Sequence, residues 1–247
     1  MYRILRRNRI ALLLWQKVTR PLVVLQGLSA VQMAHLRKLT SWFLYCKSIN
    51  GVHGLDVTMS MRITVAAQAC LLILNLDPDY FDNWVEVILY PGAFKVEHEL
   101  RDTNGLVTNV AQILSGEAWL RGPLILSWED VERDSYQCEP GHNVVLHEFA
   151  HKLDGRNGAT NGLPPLRLGM NRNNWAIALS KAYNELCRRV AAGEPTIINP
   201  YAASNPAEFF AVITEYYFTA PELLINCCPD VHRQLSLFYQ KPEATSA

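Results

Sequence analysis

The sequence predicts an α+β fold with more helix than strand. Long apolar segments recur near the 3.6-residue period of a helix in both halves of the chain. Three short β-branched or aromatic runs, bounded by Gly, Pro or charged turns, sit between them. No repeat, low-complexity tract or long linker divides the 247 residues, so helices and strands are expected to share one core.

The elements follow in order. Ser29 with Gln32 has the spacing of a capping box, in which each side chain satisfies the other's backbone N–H. Val31, Leu36, Leu39, Phe43 and Leu44 then recur at helical spacing to about Ile49, where Asn50-Gly51 ends the helix. Met61 to Leu76 reads as a second helix, apolar on most sides and stopped by Asp77-Pro78. The strand candidates are Glu86 to Tyr90, Phe94 to His98 and Leu124 to Trp128. From Asn143 the pattern is helical again, over Val144 to Leu153, Trp175 to Val190, Ala207 to Phe218 and Pro229 to Tyr239.

Composition removes several classes of function. Half of the chain, 49%, is hydrophobic and 19% is charged, which supports a large core and argues against disorder. Twenty-three Lys and Arg balance twenty-three Asp and Glu, so no basic excess exists to displace counterions from nucleic acid. The six cysteines, Cys46, Cys70, Cys138, Cys187, Cys227 and Cys228, contain no CxxC pair, and a reducing, cytoplasmic setting fits them. Cys227-Cys228 is vicinal and could bind soft metals, although two buried thiols are the better reading.

The N-terminus imitates a signal peptide. Arg3, Arg6, Arg7 and Arg9 precede the apolar run Ile10 to Trp15, but Gln16, Lys17 and Arg20 interrupt it after six residues. No stretch approaches the ~20 apolar residues of a membrane span. The segment is expected to be a basic amphipathic lead-in to a helical annex, with a secreted protease as the reading that a true export signal would support.

Chemistry enters at His147-Glu148-Phe149-Ala150-His151, an HExxH motif inside an apolar run with Asn143 placed to cap its helix. The i, i+4 spacing puts both imidazoles on one face, where they can share a Zn²⁺ at ~2.0–2.1 Å. Glu148 beside the first ligand is suited to take a proton from water whose pKa the metal lowers from about 15.7 towards ~7. A buried helix rarely spends three polar residues on one turn without a partner. The similar pair His98-Glu99 has Asp102 where the second His should stand, and is expected to be a surface turn.

A catalytic zinc needs a third protein ligand. The metzincin extension requires Gly and His three and six residues past His151, and this chain has Asp154 and Asn157. The candidates are then downstream carboxylates: Glu185, Glu194, Glu208 and Glu215. Asn205 and Pro206 open a nearly all-apolar helix on which Glu208 and Glu215, seven apart, share a face. Glu208 could instead be a capping-box acid bonding back to Asn205. The unmet coordination of the motif favours Glu208 as ligand and Glu215 as the acceptor that orients a metal histidine, with Asp154 as a further outer partner. Glu185, close to Arg188 and Arg189, is explained by an exposed ion pair.

HEFAHKLDGRNG at 147–158 and PYAASNPAEFFAVITEYYFTAPELL at 200–224 together resemble the Mlc titration factor A family of bacterial zinc metallopeptidases. VILYPGAF at 87–94 and SGEAWLRGPLILSWEDV at 115–131 extend the likeness, which spans about residues 29 to 240. The resemblance implies a zincin-like metalloprotease core similar to the protease domain of anthrax lethal factor, with HExxH on a central helix and an N-terminal helical annex. It implies one zinc per chain on His147, His151 and Glu208, Glu148 as general base, and Tyr201 as a donor to the oxyanion. It also implies an organisation of lead-in 1–28, a single zinc-peptidase domain 29–240 and a tail 241–247.

The function so implied is aminopeptidase-type hydrolysis of a peptide substrate, combined with binding of the transcriptional repressor Mlc and hence regulation of the glucose phosphotransferase system. Partners are proteins and peptides, with no direct nucleic acid and no membrane span. The alternative from a different class is a protein that sequesters the repressor without catalysis, its zinc structural or regulated.

Overall fold

In a computed structural model of the chain, residues 9–239 are described apart from 93, 102–106, 115, 119–121 and 138, with backbone alone over 93–121. The expected tail 241–247, and Arg3, Arg6 and Arg7 of the lead-in, lie outside the described residues.

The lead-in contributes α1 (Leu12–Thr19), followed by a 3₁₀ turn, Val23–Leu25. Ile10, Trp15, Val18, Leu22 and Leu25 are buried in the same cluster as the rest of the core. Helix α2 (Ala30–Cys46) opens with the Ser29 capping box as expected: Ser29 Oγ accepts from the N–H of Gln32, and Gln32 Oε1 accepts from the N–H of Ser29 at 2.9 Å. The helix stops three residues short of Ile49. Ile49 lies instead in β1 (Ser48–Gly51), fully buried and paired with Val87. Helix α3 (Met59–Leu72) is the second apolar helix. Ile63, Val65, Ala66, Ala67, Ala69 and Cys70 have no exposed surface, so it lies at the centre of the molecule. Residues 73–76, expected as its last turn, are not helical.

The main sheet joins β1, β2 (Glu86–Tyr90) and β6 (Leu124–Ser127) in parallel, with β5 (Gly116–Ala118) antiparallel on the outer edge of β6. Val87, Leu89, Leu124 and Leu126 are fully buried. Strand β6 ends at Ser127, one residue before the expected end, because Ser127 Oγ caps the next helix, α4 (Trp128–Tyr136), by accepting from the N–H of Asp130. Strands β3 (Phe94–Arg101) and β4 (Val107–Leu114) form a separate antiparallel pair. The His98-Glu99 pair therefore sits on a strand and not on a turn; the backbone pairing His98 with Val110 overrides the local charge pattern.

Helices α5 (Val144–Asp154), α6 (Arg172–Ala191), α7 (Pro206–Thr219), α8 (Pro221–Cys227) and α9 (Pro229–Tyr239) complete the chain. Helix α5 packs between α3, α7 and the edge strand β5. The fold is mainly helical around a small sheet, with the HExxH helix inside it. Among the described residues no helix is long and apolar enough to cross a membrane.

Candidate metal centre

Helix α5 is held from both ends of its amphipathic design. Val144, Val145, Leu146, Phe149, Ala150 and Leu153 are buried. Phe149 packs into an aromatic cluster, with ring centroids 5.8 Å from Phe43, 5.3 Å from Phe81 and 5.6 Å from Trp84. Of the four N–H groups without helical partners at the start of α5, three find side-chain acceptors. Asn143 Oδ1 takes the N–H of Leu146 at 2.9 Å, and Asp134 Oδ2 takes that of Val144 at 2.9 Å. Glu215 Oε2 accepts from the N–H of Asn143 itself. A buried chain of amides continues inward, from Asn143 to Gln68 to Ser135, at 2.8 Å per step.

The face opposite Phe149 presents His147 and His151, with ring centroids 4.9 Å apart. Helix α7 crosses in front of them. Asn205 caps it, its Oδ1 accepting from the N–H groups of Ala207 and Glu208. The Glu208 side chain does not turn back to Asn205. Its Oε2 lies 3.0 Å from His147 Nε2 and 3.4 Å from His151 Nε2. One ligand atom from each of the three residues lies within 4.8 Å of the others. Their side chains keep 14%, 12% and 18% of their exposure, enough for a small ion to enter from solvent.

Burial alone would push the Glu208 carboxyl up, but hydrogen bonds from His147 and His151 hold it well below the usual carboxylate range. His147 is the counterpart. Burial opposes its charge, yet the carboxylates of Glu215 and Glu208 push its pKa well above the ordinary value. A donor set of two imidazoles and one carboxylate is that of a Zn²⁺ site with an open fourth position.

Glu148, next to His147, is 5% exposed. Its Oε2 has no hydrogen-bond partner among the described residues, and burial raises its pKa to about 6. An unpaired carboxylate oxygen of this kind is costly unless an ion or water meets it. The residues present therefore fit a metal.

Glu215, one face of α7 with Glu208, places Oε1 2.7 Å from His147 Nδ1. In the neutral imidazole it thereby keeps the proton on Nδ1, so that Nε2 is the nitrogen whose lone pair a metal would take. Tyr201 stands on the 3₁₀ turn Pro200–Ala203, 46% exposed, its ring centroid 6.2 Å from that of His147. Burial, then the charge of Glu208, pushes the Tyr201 phenol up, so it keeps its proton at neutral pH.

Asp154 has a different neighbourhood. It is fully buried, and Oδ2 accepts from the N–H of Gly162 at 2.8 Å. Gly162 has φ +77, and a Cβ there would lie 2.6 Å from the Pro206 carbonyl oxygen. Asp154 thus ties the loop after α5 across the first turn of α7, the turn that carries Glu208. Glu185 and Glu194 stay on the surface, held by Arg188 at 3.0 and 2.9 Å, and Arg189 pairs with Glu185 at 2.9 Å.

Two lysines against Trp84 carry only a faint signal in the sequence. Lys47 and Lys152 lie 4.4 and 5.3 Å from the centroid of Trp84, and Lys152 Nζ donates to the Gly122 carbonyl at 3.0 Å. Burial lowers the Lys152 ammonium to about 8, and the nearby Glu148 works against that shift. The cue was the placement of Lys152 directly after His151 on an otherwise buried helix.

The family model of the glucose-regulated metallo-peptidase M90 matches residues 1–240. The Mlc titration factor A of Klebsiella pneumoniae (strain 342) is 38% identical over 223 residues, covering 88% of this chain and 82% of the relative. Its namesake in Serratia proteamaculans (strain 568) is 37% identical over 221 residues, covering 88% and 83%. A third, from Escherichia coli O9:H4 (strain HS), is 36% identical over 232 residues, covering 92% and 85%. A metal is implied by that family, and the donor set at His147, His151 and Glu208 answers to it. This chain belongs to the glucose-regulated metallo-peptidase M90 family.

Proposed function

We propose that this chain is a cytoplasmic zinc peptidase of aminopeptidase type that also binds the repressor Mlc and so relieves repression of the glucose phosphotransferase system. The observation that carries the catalytic part is the meeting of His147, His151 and Glu208 around one point, with the unpartnered carboxylate oxygen of Glu148 beside it. In this reading the two imidazoles and Glu208 hold one Zn²⁺, while Glu215 orients His147. A zinc ion there supplies Lewis acidity, polarising the scissile carbonyl and acidifying the attacking water.

The rest falls to the chain's own groups. Glu148, raised to about 6 by burial, is an acceptor matched to neutral pH; it takes the proton of the attacking water and returns it to the leaving amine. Tyr201, protonated at the rim of the site, donates to the oxyanion of the tetrahedral intermediate. Asp154 acts at one remove, through the loop that seats the first turn of α7. In this reading residues 29–240 are the peptidase domain and 1–28 a lead-in, and the burial of Ile10, Trp15 and Val18 in the common core supports it.

The test is metal analysis with a panel of aminoacyl substrates on wild type and variants. Glu148→Gln is expected to keep zinc and fold and to lose hydrolysis by ~10²–10⁴-fold. Substantial activity in that variant removes the general-base role. Glu208→Ala is expected to lower zinc content and Glu194→Ala to leave it unchanged; equal content in both removes Glu208 from the site.

The printed name of the relatives, a titration factor, favours a second reading in which repressor binding is the main role and hydrolysis is absent. His147→Ala separates the two. Repressor pull-down retained by the zinc-free variant, with no hydrolysis in wild type, supports sequestration alone.

A further inference from the structure

We propose that Cys227 and Cys228 form a dithiol site for a soft, thiophilic centre of the trivalent arsenical class, separate from the histidine and glutamate group. Cys227 is the last residue of α8, and Cys228 links it to Pro229 at the start of α9. Both side chains are half-buried, and both line one cavity of about 480 Å³. Leu186, Ile198, Phe209 and Val231 give that cavity apolar walls, and Arg189 also lines it.

The two thiols stand on adjacent residues and open into the same cavity, and Cys227 Sγ also reaches the Leu224 carbonyl at 3.8 Å. The neighbouring Cys228 draws the Cys227 thiol below its ordinary value, whereas Cys227 and burial push Cys228 up. Two sulfurs on adjacent residues that line one cavity can occupy two positions of one acceptor. Thiolates select soft acceptors, which distinguishes this pair from the nitrogen and oxygen donors around Glu208. The other described cysteines lack that pairing: Cys70 is fully buried, Cys46 is exposed, and Cys187 Sγ faces the Ala203 carbonyl at 3.7 Å.

The step balances without a change of oxidation state. A monosubstituted arsenous acid, R–As(OH)₂, meets the Cys227 and Cys228 thiols in turn. Two As–S bonds form, two As–O bonds break, and the two thiol protons leave with the departing oxygens as two waters.

Phenylarsine oxide is the probe, applied to the full-length protein reduced with a thiol-free phosphine. Intact mass, thiol titration and peptide mapping are the readouts. Wild type is expected to take one phenylarsenic group per chain with loss of two titratable thiols, both mapped to the peptide holding Cys227 and Cys228. Cys227→Ser and Cys228→Ser are each expected to weaken binding at least about a hundredfold, since a chelate becomes a single bond. Cys46→Ser and Cys187→Ser are expected to bind as wild type does. Loss of one thiol per arsenic, mapping to other cysteines, or full affinity in Cys228→Ser overturns the proposal. The wild-type stoichiometry decides the question even if a serine variant fails to fold.

Discussion

Replacing Glu215 with Gln exposes how closely metal binding and helix anchoring are joined at one carboxylate. Glu215 accepts twice, from His147 Nδ1 at 2.7 Å and from the N–H of Asn143. It is 5% exposed, so water cannot stand in for a lost partner. The amide of Gln has one acceptor oxygen and one donor nitrogen. With the nitrogen toward Asn143, two donors face each other at the start of α5, and an unsatisfied buried N–H costs ~1–3 kcal/mol. With the nitrogen toward His147, Nδ1 must become the acceptor, and the proton moves to Nε2, the atom that faces Glu208. That tautomer removes the lone pair a metal requires. Loss of such an outer partner typically costs ~10–100-fold in metal affinity, or about 1.4–2.7 kcal/mol. The assay is zinc affinity by chelator competition, paired with urea unfolding of the metal-free protein. A loss in both is expected. A variant that binds zinc as tightly as wild type and unfolds at the same urea concentration refutes it.

Further outcomes follow from the same neighbourhood. Phe149→Ala empties a fully buried ring position inside the Phe43, Phe81 and Trp84 cluster, and is expected to cost ~3–5 kcal/mol in urea unfolding; under ~1 kcal/mol, the packing account of α5 fails. Gly162→Ala brings a Cβ within 2.6 Å of the Pro206 carbonyl oxygen at φ +77, so stability and zinc affinity should both drop. Gly158→Ala, at φ +92 with nothing within 4 Å, should lower stability alone; identical zinc affinities in the two variants would count against the loop's role. His142 and Asp134 supply a pH signature. The hydrogen bond to Asp134 outweighs burial and raises His142, so its contribution is complete below its unfolded pKa of ~6.5 and fades as pH rises through the higher folded value. Asp134 is lowered by His142 and the Val144 N–H against the effect of burial, so its share is present above ~3.9 and lost in acid. The stability gap between wild type and His142→Ala should therefore narrow from pH 5.5 to pH 8.5, and a constant gap would rule the pair out as the cause.

Local chemistry was legible wherever cause and effect lie within one turn. The Ser29 and Gln32 box, the Asn143 and Asn205 caps and the i, i+4 placement of His147 and His151 are properties of four or five neighbouring residues, and the structure contains each. Strand β2 likewise runs over Glu86–Tyr90 because β-branched residues and a Pro-Gly stop mark it locally. Strands β1 and β5, only four and three residues long, were not legible. A segment so short is a strand only because Ile49 meets Val87, or because backbone 116–118 meets β6.

The sequence by itself determined the donor types and the helix that carries two of them. It also placed Glu208 and Glu215 on one face of a second buried helix and favoured the first as ligand and the second as the acceptor that orients a histidine. Only the tertiary structure supplied the approach of both carboxylates to one imidazole. It brings Glu208 Oε2 to the Nε2 side of His147 and Glu215 Oε1 to the Nδ1 side, across 61 and 68 residues of chain. It also gave Asp154 to the Gly162 N–H and set two lysines against Trp84. The physical reason is one of range. Helical periodicity and capping are encoded by neighbours in sequence, whereas the approach of α5 to α7 depends on where the whole core closes, and no local pattern carries that distance.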